Sequence, residues 1–195
     1  SNNKNFIKLC LNAKLSSTIT LQPIDKFDLD AAIIFSDIMM LPYGLGQKVE
    51  FEKNFGPKLG ELDLSKIAKI DEIDFTEKVH RVYKAIKKVS LDPILNNKNT
   101  IGFVGAPWTL LVYMINQQSP KKKLKENFFK DEFLINRILL IIEKFLKIHI
   151  KNQIDSGANV IQIFDSWAGL IDDKNLQEYI YSPTLNLVNF IKSLN

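Results

Sequence analysis

The chain has 195 residues, 46% of them hydrophobic and 25% charged, with a formal net charge of +4. That balance excludes wholesale disorder and a fibrous repeat, and the single cysteine, Cys10, excludes a disulfide framework and a multi-cysteine zinc site built from this chain alone, which fits a reducing, cytosolic setting. Only Arg81 and Arg137 among the 26 basic residues are arginines, which weighs against nucleic acid as a partner because bidentate contacts to bases and phosphates use arginine. No apolar run is long enough to span a bilayer, and Ser1 to Lys8 has no secretory signal pattern.

Asn5 to Leu11 and Leu15 to Phe27 read as helices, the second disturbed by Pro23. Ala31 to Ser36 is a continuous apolar run ending at Ser36-Asp37, the pattern of a strand buried on both faces. Lys48 to Phe51 alternates polar and apolar residues, with turn residues from Asn54 to Pro57, so an exposed strand or hairpin is predicted there. Val79, Val82, Tyr83 and Ile86, spaced by three and four, predict an amphipathic helix over Thr76 to Ser90. Thr100 to Gly105 is a second buried strand, after which Pro107 opens a helix through Gln118. Lys121 to Lys125 reads as a basic surface segment, and Phe133 to Ser156 as one long helix stopped by Gly157. Asn159 to Phe164 is a third strand; Asn175 to Tyr181 and Thr184 to Leu194 read as helices.

Apolar strands separated by helices predict a parallel α/β sheet. In such folds the site lies in the loops after the carboxyl ends of the strands. Three segments are therefore expected to converge: Phe35-Ser36-Asp37, Val104 to Trp108, and Phe164 to Trp167.

Three stretches, TLQPIDKFDLDAAIIFSDIMMLPYGLG (Thr20 to Gly46), GFVGAPWTLLVYMI (Gly102 to Ile115) and QIDSGANVIQIFDSWAG (Gln153 to Gly169), resemble the uroporphyrinogen decarboxylase family in wording, order and spacing. The resemblance covers nearly all of the chain and is weakest from Leu59 to Asn99 and from Gln117 to Phe133. It implies a (β/α)8 barrel of the TIM type, which needs roughly 250 residues. Residues 1–195 are thus expected to be part of one barrel domain, an incomplete barrel, without the family's Arg-Gln-Ala-Gly-Arg segment ahead of it and the histidine motif beyond it.

The resemblance further implies removal of carbon dioxide from the four acetate arms of uroporphyrinogen III, giving coproporphyrinogen III, with no metal and no organic cofactor. It also implies a cytoplasmic protein, homodimeric at full length. A protonated pyrrole ring would be the electron sink, and a carboxylate in a dry site would stabilise that cation and accept pyrrole N–H bonds. Asp37 matches the family's aspartate for that role; a helix N-cap is the alternative. Tyr113 and Ser166 match substrate-contacting positions, the alternatives being a core tyrosine and a helix cap. Phe6 and Phe164 match positions near the substrate, as apolar walls or as core residues. Trp108, Trp167, Met39 and Met40 read as packing around the site. His80 and His149 have no partner at ligand spacing and read as solvated or packed; Cys10 reads as a small buried hydrophobe. Two other readings remain: a corrinoid-linked zinc methyltransferase of the same superfamily, and a non-catalytic barrel fragment that associates through its uncovered faces.

Overall fold

The computed structural model describes residues 6–52, 55–120, 124 and 129–194, so Asn5, Asn54 and the four lysines of the predicted basic segment, Lys121, Lys122, Lys123 and Lys125, lie outside the described residues. Helix α1 (Phe6–Cys10) leads to α2 (Ala13–Lys26). Asn12 starts α2 by accepting the Leu15 N–H at 3.1 Å, the bond an N-cap side chain makes with an otherwise orphaned donor. Pro23 is accommodated inside the last turn. The buried stripe of α2 holds Ala13, Ser16, Ser17, Thr20 and Ile24, so three hydroxyls sit where an ordinary amphipathic helix is aliphatic.

Strand β1 (Ala31–Ile33) is half the length its apolar run predicts. Ile34 still donates to the Ile101 carbonyl at 3.0 Å, but at Phe35 the main chain is taken over by α2. The Phe35 N–H donates to Thr20 Oγ1 at 2.8 Å, and its carbonyl accepts from Ser16 Oγ at 2.6 Å. Two buried hydroxyls one helical turn apart thus replace a strand neighbour, and the chain leaves the sheet immediately before Asp37.

A short helix that the sequence reading did not anticipate, α3 (Met40–Gly44), follows. The predicted hairpin forms from β2 (Val49–Glu52) and β3 (Gly56–Leu59), antiparallel with Val49 opposite Leu59. After a one-turn helix, α4 (Leu64–Ile67), comes α5 (Glu72–Ser90), which begins four residues before the predicted start because Asp71 caps it through the Asp74 N–H at 2.7 Å. Strand β4 (Asn99–Gly105) and helix α6 (Pro107–Asn116) follow, the helix closing on Gln117 in the left-handed region at φ 64°. Then come α7 (Glu132–Asp155), ended as expected by Gly157 at φ 108°, and β5 (Val160–Phe164). The two predicted C-terminal helices are merged: a wide helical turn over Gln177–Tyr181 runs straight into α8 (Ser182–Lys192).

The sheet is parallel, in the order β1-β4-β5, as expected of strands joined by helical crossovers. It is three-stranded and open, not a closed ring, and among the described residues the outer edges of β1 and β5 carry no strand partner. Helices cover one face. Ala32, Ile34, Thr100, Gly102 and Val104 are buried there, over a core that includes Phe75, Trp108, Phe145 and Ile142. Gln153 of α7 belongs to this layer and binds the Phe103 main chain twice, accepting its N–H at 3.0 Å and donating to its carbonyl at 3.1 Å. Gly102 makes that approach possible, since a Cβ there would collide with the Gln153 amide. His149 is packed, as expected, with its Nδ1 2.8 Å from the Tyr83 hydroxyl, and burial pushes its pKa down to about 4.

The other face of the sheet is uncovered. Ile33, Ile101 and Val160 lie in register across it, with Phe103 opposite Gln162 one step further on. Ile33 is 57% exposed and Phe164 40%, an apolar surface of the kind that soluble chains cover with another element.

Candidate functional site

The strand ends do converge. Ile33 pairs with Ile101, and Gly105, four residues on, pairs with Phe164. Asp37 lies in the loop that leaves the carboxyl end of β1, four residues after Ile33. Gly105 confirms the approach: a Cβ built there would lie 3.2 Å from the Ile38 Cβ, so the loop carrying Asp37 rests on the end of β4.

Asp37 Oδ1 accepts the Met39 N–H at 2.8 Å, and the Asp37 carbonyl accepts the Met40 N–H at 3.1 Å. The carboxylate thus shapes the entry to α3 without capping it in the usual sense, because the residue at the cap position is Met39. Burial pushes the Asp37 pKa up to about 6, against the smaller opposing effect of the Met39 N–H. Among the described residues no cation lies beside it to hold it ionised. Its charge is felt by two neighbours. Burial, with Asp37 adding, pushes the Cys10 thiol up to about 12, and Asp37 adds to the rise that burial causes in the Tyr113 phenol.

Tyr113 sits half-buried on α6, its ring edge-on to that of Trp167 with centroids 5.9 Å apart. The Trp167 indole N–H is near enough to work against the rise in the phenol pKa. Yet it falls short of hydrogen-bond geometry, so Trp167 Nε1 is a buried donor without a partner among the described residues.

Ser166 is exposed on the turn after β5. That turn is held from below by the first turn of α6. Thr109 Oγ1 donates to Asp165 Oδ1 at 2.7 Å and accepts the Trp167 N–H at 3.1 Å, while Trp108 Nε1 donates to the Trp167 carbonyl at 2.9 Å. The second Asp165 oxygen is buried and unpartnered, and burial raises the Asp165 pKa.

Of the five residues singled out from the sequence, Asp37 and Tyr113 are brought within electrostatic reach of one another. Ser166 is joined to that pair only through its neighbour Trp167. Phe6 lies on α1 against Phe35 and Phe51, with ring centroids 5.8 and 4.6 Å away, so it reaches the Asp37 loop through Phe35. Phe164 belongs to the uncovered sheet face, edge-on to Phe103 at 5.5 Å. The site is a rim, not an enclosed pocket: a groove of about 390 Å³ along the β1 edge is lined by Ile33, Phe35, Ser36 and Phe103 and stops one residue short of Asp37.

The sequence reading missed the residues that hold the rim in place. Ser16 and Thr20 carried a signal, hydroxyls spaced by four on the buried face of a helix. Thr109, Asp165 and Gln153 carried none, because each acts through a segment at least fifty residues away.

Comparison with known proteins decides the family. The profile described as Uroporphyrinogen decarboxylase (URO-D) matches residues 1–195. The chain belongs to the uroporphyrinogen decarboxylase family. A uroporphyrinogen decarboxylase of Campylobacter jejuni is 40% identical over 192 residues, covering 96% of this chain and 56% of the relative. One of Rickettsia bellii is 36% identical over 191 residues, covering 97% and 56%. The chain therefore spans a little over half the length of these curated relatives. A solved methyltransferase from Methanosarcina mazei superposes with a TM-score of 0.76 at 20% identity, covering 98% of this chain and 57% of that one. That likeness speaks for the fold alone and, with the family, makes it TIM-barrel-like.

Proposed function

We propose that the chain supplies part of the active-site rim of a uroporphyrinogen decarboxylase that converts uroporphyrinogen III to coproporphyrinogen III without a cofactor. The carrying observation is Asp37, a desolvated carboxyl just past the carboxyl end of the first parallel strand, whose charge reaches the Tyr113 phenol. In this reading the remaining strands of a (β/α)8 barrel come from sequence beyond this chain and cover the apolar sheet face. The intact protein is a homodimer in the cytoplasm.

The reaction replaces a carboxyl group on each acetate arm with a proton. Protonation of the pyrrole creates a cationic ring that accepts the electron pair of the breaking C–C bond. Carbon dioxide leaves, and a proton then returns to the methylene carbon, giving a methyl group. Among the described residues Asp37 has no cation beside it, and its raised pKa reflects how poorly that site solvates its charge. A pyrrolic cation would supply the missing partner, so the carboxylate is stabilised where and when positive charge develops. Pyrrole N–H groups would donate to its oxygens and centre the macrocycle. The Tyr113 phenol and the Ser166 hydroxyl would donate to substrate carboxylates. Phe6 and Phe164 would form apolar walls. Neither arginine lies at the rim: Arg81 lines a cleft on α5, and Arg137 stands over the Phe133 ring. The counter-charge for an eight-carboxylate substrate is then assigned to the rest of the barrel.

The test is Asp37→Asn in the full-length protein, with coproporphyrinogen formation followed by fluorescence after oxidation. Turnover is expected to fall by about a hundredfold or more, the scale on which a lost transition-state electrostatic contact acts, while the thermal midpoint does not fall. Near-normal turnover rejects the role. A zinc methyltransferase draws no support from Cys10, because among the described residues no group of three or more His, Cys, Asp or Glu side chains is placed to hold a metal ion.

A further inference from the structure

α1 and the start of α2 face α5 across a cleft of about 660 Å³. Among the described residues its lining includes six cations, Lys8, Lys14, Arg81, Lys84, Lys87 and Lys88, and no acidic side chain. The chain as a whole is only +4; without these six, its remaining acidic and basic side chains sum to −2. Six of the 26 basic residues thus share one cleft.

The arrangement follows from helix geometry. Arg81, Lys84 and Lys88 are spaced by three and four residues along α5 and form one stripe about 10 Å long at 1.5 Å per residue, with Lys87 beside it. All four are exposed, while Val82, Tyr83, Ala85, Ile86 and Val89 between them are buried. Lys14 projects from the first turn of α2 on the facing wall. Among the described residues no carboxylate lies within 4 Å of Lys14, Arg81, Lys84, Lys87 or Lys88. Like charges on one helix face at these spacings repel each other, so the cleft is poised for an anion that joins them.

We propose that this cleft binds a compact oligophosphate, a small molecule carrying three or more linked phosphoryl groups. Several features select that class. Six cations converge on one cleft, five of them lysines, which bind phosphoryl oxygens as point charges. The lining has no aromatic ring on which a nucleobase could stack, as single-stranded nucleic acid requires. The volume is that of a small-molecule site, and its uncharged lining is small: Leu11, Asn12 and Ala13. The inference is independent of the decarboxylase reading, since no residue assigned to the reaction lines the cleft.

The test is calorimetric titration of the full-length protein with inorganic triphosphate at 50 and 200 mM salt, with ATP and a duplex oligonucleotide as separate arms. Saturable binding of one triphosphate per chain is expected, weakening about tenfold between the two salt concentrations as screening grows. ATP should bind no more tightly than triphosphate, because nothing in the cleft reads the base. Lys84→Glu/Lys88→Glu, two exposed changes that leave the core untouched, should weaken binding at least thirtyfold. Lys26→Glu/Lys69→Glu, with the same charge change elsewhere, should alter it less than threefold. Absence of saturable binding, equal loss in both double variants, or tighter binding of the duplex than of triphosphate would each overturn the proposal.

Discussion

Replacing Asp37 by Asn should make the folded protein more stable, and the size and pH dependence of that gain follow from the site. The Asp37 carboxyl has its pKa pushed up from 3.8 to about 6, first by burial, with the Met39 N–H opposing. In the unfolded chain it ionises near the ordinary value. The folded state therefore holds the proton more tightly, and the ionised form is the one that burial penalises. Linkage gives the sign: stability is greatest below the unfolded pKa and is lost as pH rises through the folded one. Two pKa units at about 1.4 kcal/mol each set the full penalty at about 3 kcal/mol, reached above pH 7. An asparagine side chain keeps an oxygen for the Met39 N–H and carries no charge to desolvate. The stability difference between variant and parent should thus be close to zero near pH 3.5, grow across pH 4 to 6, and level off above pH 7. Because it is a difference, the titration of every other group cancels. Urea unfolding of both proteins, followed by far-ultraviolet circular dichroism at half-unit pH steps, measures it. A variant less stable than the parent at pH 8, or a gain that does not change between pH 4 and 8, would refute the argument that Asp37 is a desolvated carboxyl. Stability gained as turnover is lost is what a site built for its reaction and not for its own stability should give.

Two further outcomes follow from the buried polar contacts. Thr20→Val removes the hydroxyl that takes the Phe35 N–H; a buried donor left unpaired should lower stability by about 1–3 kcal/mol, and in the full-length enzyme kcat should fall more than KM rises, because the Asp37 loop loses its anchor. His149 is neutral when folded, its pKa pushed by burial from 6.5 down to about 4, so its contribution is complete above about pH 6.5 and is lost as pH falls toward 4; His149→Gln should flatten that acid limb in thermal melts, and an unchanged limb would place the acid sensitivity elsewhere.

The apolar runs at Ala31, Thr100 and Asn159 were legible as parallel strands because apolar residues fall at successive positions, but among the described residues only one of the two faces that pattern implies is covered, and Ile33 stays 57% exposed. The long α7 was legible from its period and from Gly157, and the rim was legible as three polar strand ends. Several features were not. The end of β1 depends on Ser16 and Thr20 reaching across from α2, a contact between segments whose sequences are separately ordinary. The early start of α5 depends on one capping bond at Asp71. Gln153 and Thr109 each serve a main chain or turn at least fifty residues away, and no local pattern records such a partner.

By itself the sequence determined the parallel α/β class and the family, because hydrophobic period and motif wording are properties of neighbouring residues. Only the tertiary structure decided that Asp37 is desolvated, that Trp167 keeps an unpaired indole N–H beside Tyr113, and that six cations distributed from Lys8 to Lys88 share one cleft. Burial and electrostatic potential are set by everything within several ångströms of a group, and in a folded chain most of that surrounding comes from residues far away in sequence.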